Sequence, residues 1–178
     1  MSDTRRKPSA VLIPLYLKNG KYHILFIQRT GNVSVHKYQI SFPGGRYEAK
    51  DGTLQETALR EAEEEIGLKR KDVRILGELD DIATSGSHYV ISPFVAEIPY
   101  PYDFKIDHFE TQEIIEVPLD DLMQAGCREE GTTTVDEAVI PTYFYHYGKT
   151  VIWGATARIL KQFLDISGTF YRCGNLEP

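Results

Sequence analysis

Residues 54–68, which read Leu54-Gln55-Glu56-Thr57-Ala58-Leu59-Arg60-Glu61-Ala62-Glu63-Glu64-Glu65-Ile66-Gly67-Leu68, leave this chain little freedom. Leu54, Ala58, Ala62 and Ile66 recur every four residues, which predicts a helix with one apolar stripe. Glu61, Glu64 and Glu65 follow i, i+3, i+4 spacing, so their carboxylates stack in a row beside that stripe. Such a helix packs its stripe on a sheet and leaves the acids at the edge of a cleft. Thr53 is placed to cap its start and Gly67 to end it. The acid row is self-repelling, at roughly 0.2–0.5 kcal/mol per like-charged i, i+4 pair. A hard divalent cation reverses that sign, because carboxylate oxygens suit Mg²⁺ or Mn²⁺. For the helix taken alone, a solvated acidic face is the plain alternative.

The order of parts weighs against the plain alternative. Ser41-Phe42-Pro43-Gly44-Gly45-Arg46 lies upstream as a tight glycine turn whose backbone can complete a metal or phosphate site. Asp51 stands between turn and helix. The pattern suits metal-assisted hydrolysis of a phosphoanhydride, in which cations neutralise diphosphate oxygens and ready a water for attack. Arg60 can pair with Glu56 or Glu64 and so orient carboxylates. Arg46 can touch a phosphate or lie free on the surface.

At 178 residues and 42% hydrophobic, the chain suits one globular domain with its own core. A net charge of −6 argues against nucleic-acid binding through a basic surface, though not against an anionic small molecule. The two cysteines, Cys127 and Cys173, lie far apart without metal-ligand spacing, which suggests a reduced, cytoplasmic setting. Arg5-Arg6-Lys7 before an apolar run superficially resembles a signal peptide. The run is short, contains Pro14 and lacks a small-residue cleavage site, so it reads as a first strand. No apolar stretch is long enough for a membrane span.

Residues 1–9 read as a polar arm, 10–166 as the domain and 167–178 as a tail. Ala10–Leu17 and Tyr22–Gln28 flank Asn19-Gly20, a two-residue hairpin signal. Thr30–Gln39 reads as a loop. Val73–Leu79 and Tyr89–Ile98 read as strands around a Thr84–Ser87 loop. Phe109–Ile115 is ambiguous, and Asp120–Gln124 reads as a short helix. Thr132–Val139 and Thr142–Tyr147 read as a second strand pair, and Ile152–Phe163 as the closing helix. This is a mixed α/β domain. His36 and His88 sit in loop-like segments, as bases, substrate contacts or plain surface residues. Trp153, at a helix start, reads as core packing rather than a base-stacking ring.

The composite from Gly45 to Leu68 resembles the signature of the Nudix hydrolase family: Gly, five residues, Glu, seven residues, Arg-Glu-apolar-x-Glu-Glu-x-Gly-apolar. Here Asp51 replaces the isolated Glu and eight residues precede Arg60, while Arg60 to Leu68 match throughout. The resemblance implies the Nudix fold, a mixed sheet between helices in an α/β/α sandwich. It implies Glu61, Glu64 and Glu65 as ligands of Mg²⁺ or Mn²⁺, helped by the Gly44 or Gly45 carbonyl. Glu61 would also help activate water. Asp51 would stabilise the loop or hold a metal-linked water. Glu110, in Asp107-His108-Phe109-Glu110-Thr111, is a candidate for a further acid from the second half of the domain. The implied partner is a small nucleoside diphosphate derivative, with oligomeric state open and a homodimer among the options.

A second stretch is similar to the extra motif of coenzyme A pyrophosphatases, roughly Leu-Leu-Thr-x-Arg-Ser-x3-Arg-x3-Gly-x3-Phe-Pro-Gly-Gly. It runs from Leu25-Phe26-Ile27-Gln28-Arg29-Thr30 to Phe42-Pro43-Gly44-Gly45. Arg29 matches, but Ser34 replaces the second Arg and Tyr38 replaces the Gly. Ser34 removes a fixed positive charge for phosphate, and Tyr38 adds bulk that can stack on a base or narrow an entrance. ADP-ribose or a nucleotide sugar is therefore the runner-up substrate, and a non-catalytic nucleotide-binding domain on the same fold the alternative of another class.

Overall fold

The computed structural model describes residues 6–31, 38–84, 88–135 and 138–174, with residues 133–135, 138 and 169–174 as backbone only. Ser34 and His36 fall outside these residues.

The first hairpin joins β1 (Lys7–Lys18) to β2 (Lys21–Arg29). Asn19 and Gly20 take φ of 52° and 76°, the paired positive values of a type I′ turn. Short strands β3 (Ile40–Ser41) and β4 (Gly44–Arg46) bracket Phe42-Pro43, and helix α1 (Leu54–Ile66) follows. Next come β5 (Arg74–Glu78), β6 (Ile82–Ala83), β7 (Tyr89–Glu97) and β8 (Thr111–Pro118). The short helix α2 (Leu119–Leu122) leads to β9 (Arg128–Val135), β10 (Ala138–Tyr147), β11 (Thr150–Ile152) and the long helix α3 (Gly154–Gly174).

Among the described residues, eight strands form a mixed sheet along the path β3-β2-β1-β7-β5, with β4 on β1, β6 on β7 and β8 on β2. β1 and β7 run parallel and the remaining pairs antiparallel. Alternation along β1 sends Ala10, Leu12 and Tyr16 to one face and Ile13 and Leu15 to the other. The first face packs on Ala58, Leu59, Ala62 and Ile66 of α1, the second on Ala157, Ile159, Leu160 and Phe163 of α3. A separate sheet, β11-β10-β9, closes the α3 side. This is the expected α/β arrangement of a mixed sheet between helices.

Several boundaries differ from the sequence reading. Lys7, Pro8 and Ser9 belong to β1 rather than to an arm, because they pair with Tyr89, Val90 and Ile91 and Ser9 Oγ donates to the Val90 carbonyl. The ambiguous segment becomes β8, starting at Thr111. The closing helix starts at Gly154, since Thr150–Ile152 is taken up by pairing with β10, and it runs past residue 166 into the expected tail. Trp153 is 46% exposed at that junction, which overturns its assignment to the core. Pro141 does not interrupt β10. It opposes Thr132 where the ladder places its nitrogen on the side away from β9, beyond the reach of β11.

Candidate active site

Helix α1 is fixed at both ends by its own sequence. Thr53 Oγ1 accepts from the Glu56 N–H at 3.1 Å, and Gly67 closes the helix at φ 69°, a conformation that favours glycine. A Cβ at Gly67 would meet Lys105, whose N–H donates to the Ile66 carbonyl. Asp107 N–H likewise donates to the Glu65 carbonyl. The segment carrying Glu110 is thereby stapled to the end of α1.

Glu61 and Glu65 turn toward the glycine strand. A Cβ at Gly45 would lie 2.4 Å from the Glu61 carboxyl, so the carboxylate rests directly against the Gly45 backbone. Glu65 is 3% exposed. Its Oε2 accepts from the Gly44 N–H at 2.9 Å, and Oε1 lies at a long 3.4 Å from Arg29 Nη1. The antiparallel register of β4 on β1 makes Ala10 and Gly45 the hydrogen-bonded pair. The Gly45 carbonyl therefore serves the ladder, while the Gly44 N–H and carbonyl point away from it. Of the two carbonyls considered for an ion, only that of Gly44 is turned out of the ladder.

Arg60 organises the outer side of the row. Its Nε and Nη2 donate to Asp51 at 2.8 and 3.1 Å, its Nη1 lies 2.9 Å from both Glu61 Oε1 and Glu64 Oε2, and Nη2 also donates to the Arg46 carbonyl. Of the two partners expected for Arg60, it takes Glu64, while Glu56 pairs with Arg70. Asp51 also accepts from the Glu48 N–H and Thr57 Oγ1. It is an anchor for the loop and for Arg60. Sequence reading missed this partnership, since Asp51 and Arg60 lie nine residues apart across a 3-10 turn (Ala49–Asp51).

Arg46 is not brought to the acids. Gly45 faces α1, so Arg46, one residue on, faces the opposite side of the sheet, where its guanidinium lies over the Tyr89 ring. Tyr38 is exposed, adopts φ 59° and lays its hydroxyl against Gly31. The Gly expected at that position would take such a φ without strain, which explains the motif's preference. His88 contributes its carbonyl to Lys7 and lies apart from the acid row.

The electrostatics separate these carboxyls. Hydrogen bonds from Arg60 hold Asp51 well below the usual carboxylate range. Burial raises Glu61, against the pull of Arg60 and with Glu64 and Glu110 adding to the rise. Burial pushes Glu65 up to about 8; Gly44 and Arg29 oppose this, and Glu61 and Glu110 reinforce it. Glu110 is thus close enough for its charge to be felt by both. Oxygen donors, mutual repulsion and burial fit a hard divalent ion. As the side chains stand, guanidinium and backbone contacts hold them apart: among the described residues, no three His, Cys, Asp or Glu side chains converge at metal-ligand spacing.

The NUDIX domain family model matches residues 6–141. The chain belongs to the Nudix family. It is 34% identical over 162 residues to the uncharacterised Nudix hydrolase NudL of Photorhabdus laumondii subsp. laumondii, covering 91% of this chain and 85% of that protein. In fold it is similar to a MutT/nudix family protein from Enterococcus faecalis (TM-score 0.64, 15% identity, 92% of this chain and 62% of that one). It is also similar to the NUDIX domain of Shewanella oneidensis NrtR complexed with ADP ribose (TM-score 0.50, 16% identity, 67% and 77%). As a Nudix hydrolase, the protein acts on pyrophosphate bonds. No helix among the described residues is long and apolar enough to cross a membrane.

Proposed function

We propose that this Nudix hydrolase cleaves the diphosphate linkage of a nucleoside diphosphate derivative with Mg²⁺ or Mn²⁺, and that its preferred substrate is of the coenzyme A type. The pairing around Glu65 carries the reading. Arg29 and Gly44, both in the motif that resembles coenzyme A pyrophosphatases, hold the carboxylate supplied by the Nudix helix. The motif tied to substrate thus forms one wall of the acid cleft.

Nudix hydrolases generally use divalent metal ions. Glu61, Glu64, Glu65 and the Gly44 carbonyl are the donors that would hold one here, and it would neutralise the diphosphate oxygens while readying a water. The protein's own groups divide the remaining work. Asp51 fixes Arg60, which presents Glu61 and Glu64 in set orientations. Glu61, raised by burial, accepts the proton of the attacking water as the new P–O bond forms and the bridging P–O bond breaks. Glu110, whose charge raises both Glu61 and Glu65, is the second candidate to take that proton. Arg29, freed from Glu65, neutralises a phosphate of the substrate. Gly45 lets Glu61 lie against the backbone, and Tyr38, exposed and resting on Gly31, is the residue of the same motif that would meet the substrate. The unpaired Cys127 agrees with a cytoplasmic setting.

Anion-exchange separation of products across a substrate panel tests this. Coenzyme A with millimolar Mg²⁺ or Mn²⁺ should yield 4′-phosphopantetheine and adenosine 3′,5′-bisphosphate. The second reading, ADP-ribose, is favoured by the ligand of the NrtR domain. Fast turnover of ADP-ribose with none of coenzyme A would reverse the order.

A further inference from the structure

The turn that carries Glu110 is held on both sides. Asp107 N–H donates to the Glu65 carbonyl at 3.0 Å, which docks the turn on the end of α1. Asp107 then gathers the residues that follow. Its Oδ1 accepts from the Phe109 N–H at 2.9 Å, and its carbonyl accepts from the Glu110 and Thr111 N–H groups at 3.2 and 2.9 Å. Thr30, just past the end of β2, grips the turn from the other side. Its Oγ1 donates to the Phe109 carbonyl at 2.6 Å, and its N–H donates to the Glu110 carbonyl at 2.9 Å. Both main-chain polar groups of Phe109 are therefore engaged, and its backbone is fixed.

The Phe109 ring is nevertheless 65% exposed. A lone exposed ring is ordinary on a protein surface, so its surroundings must give it meaning. Other rings of this segment are taken up by packing. Tyr100 stacks on Tyr16 with centroids 5.2 Å apart, and Tyr102 lies against Phe104 at 5.0 Å. Phe109 instead adjoins Glu110, whose charge is felt by Glu61 and Glu65. Its anchor, Thr30, follows Arg29 in the motif similar to coenzyme A pyrophosphatases, and Arg29 reaches Glu65. Gly31, the next residue, carries the Tyr38 hydroxyl. Consecutive Cα atoms lie about 3.8 Å apart, which puts the Phe109 Cα within about 8 Å of that of Asp107. Phe109 thus stands beside the acid row without belonging to it. A nucleoside needs such an offset between its base and the diphosphate it carries.

We propose that Phe109 binds the nucleobase of the substrate by stacking, as a specificity residue that neither motif marks. The inference rests on reading the substrate as a nucleoside diphosphate derivative, and it names the group that recognises the nucleoside. A fixed backbone and a side chain with two rotatable bonds lose little freedom on binding. Every base has a π-face, so stacking favours nucleoside derivatives as a class over diphosphates without a base, rather than one base over another.

The test is calorimetric binding of AMP and ribose 5-phosphate to the full chain with Mn²⁺ present. The two probes differ by the base, and neither holds a diphosphate to cut. The unaltered protein should bind AMP at least about 10-fold more tightly than ribose 5-phosphate. Phe109→Ala and Phe109→Leu should erase most of that preference and Phe109→Trp should keep it, with ribose 5-phosphate affinity constant throughout. In Phe109→Ala, KM for coenzyme A should rise about 10-fold with kcat within about threefold. Melting temperature should not move, because the ring is exposed. Equal affinity for the two probes in the unaltered protein would overturn the proposal, as would a preference for AMP that survives in Phe109→Ala. So would full preference in Phe109→Leu, which would make the contact merely apolar. Losses on both probes with lowered melting would make Phe109 a prop for its own turn. If the unaltered protein cleaves nothing in the panel while Phe109 still sets the AMP preference, the proposed function falls and this inference stands. Cleavage of coenzyme A without that preference does the reverse.

Discussion

Asp51 and Glu65 are both buried carboxylates that meet an arginine at helix α1, and their surroundings treat them in opposite ways. Asp51 accepts from Arg60 twice, from Thr57 and from the Glu48 N–H, and it is held ionised far below its ordinary range. Glu65 has one good donor, the Gly44 N–H, and a long contact to Arg29, with Glu61 and Glu110 pressing against it, and it is pushed up to about 8. The first arrangement is complete. The second is a carboxylate kept short of partners, as a group must be if it is to accept a cation from solution. On the function proposed above, Asp51 builds the site and Glu65 helps to hold its ion.

The largest effect expected from disturbing this contrast comes from Glu65→Gln. Turnover should fall at least about 100-fold, while the metal-free protein at pH 8 should melt no lower than before, since a buried charge is gone. A large loss of stability instead would place Glu65 with Asp51 among finished structural pairs. Asp51→Asn should do the reverse. It leaves Arg60 charged and short of its partner, at a loss of about 3 kcal/mol in urea unfolding, with activity falling through misplacement of Glu61 and Glu64. An unchanged urea midpoint would remove Asp51 from its anchoring role.

The two acids should also impose opposite pH slopes on metal-free stability. Glu65 binds a proton in the folded state up to about pH 8 but in the unfolded chain only to its ordinary range near 4.5. Between those values the folded state holds the extra proton, so stability falls as pH rises. Asp51 is depressed, so its contribution is present above the ordinary Asp range and is lost as pH falls below it. Melting curves without metal should therefore peak on the mildly acidic side, and Glu65→Gln should flatten the decline toward pH 8. A decline that persists in the variant would assign it elsewhere. The smallest effect concerns the wall behind Arg29. Tyr38→Gly removes an exposed side chain from a left-handed backbone position, where the strain is about 1 kcal/mol, and on the proposed function should widen the way to the substrate. KM for coenzyme A should fall with kcat nearly constant. A rise in KM would show instead that the ring holds the substrate.

What was legible in the sequence was local. Thr53, the four-residue apolar repeat and Gly67 define α1 within its own span, and Asn19-Gly20 defines its turn, because each device acts over a few residues. The acid row followed from helical spacing alone. The rest depended on partners distant in the chain. Arg29 meets Glu65 across 36 residues. Arg46 is separated from the acids by the pleat of β4, a parity that becomes visible only once Gly45 is known to face Glu61. Phe109 is anchored by Thr30 across 79 residues. Trp153 looked like core because a helix start usually packs, yet β11 ends just before it and leaves the ring at the surface.

Burial raises Glu65 toward about 8, so a divalent ion that binds its carboxylate should displace a proton to the buffer. Calorimetric titration of Mn²⁺ at pH 7, repeated in buffers of different ionisation enthalpy, measures ion uptake and proton release together. The prediction is binding accompanied by release of close to one proton, with the release lost in Glu65→Gln. Uptake without proton release, or no uptake at all, would contradict it.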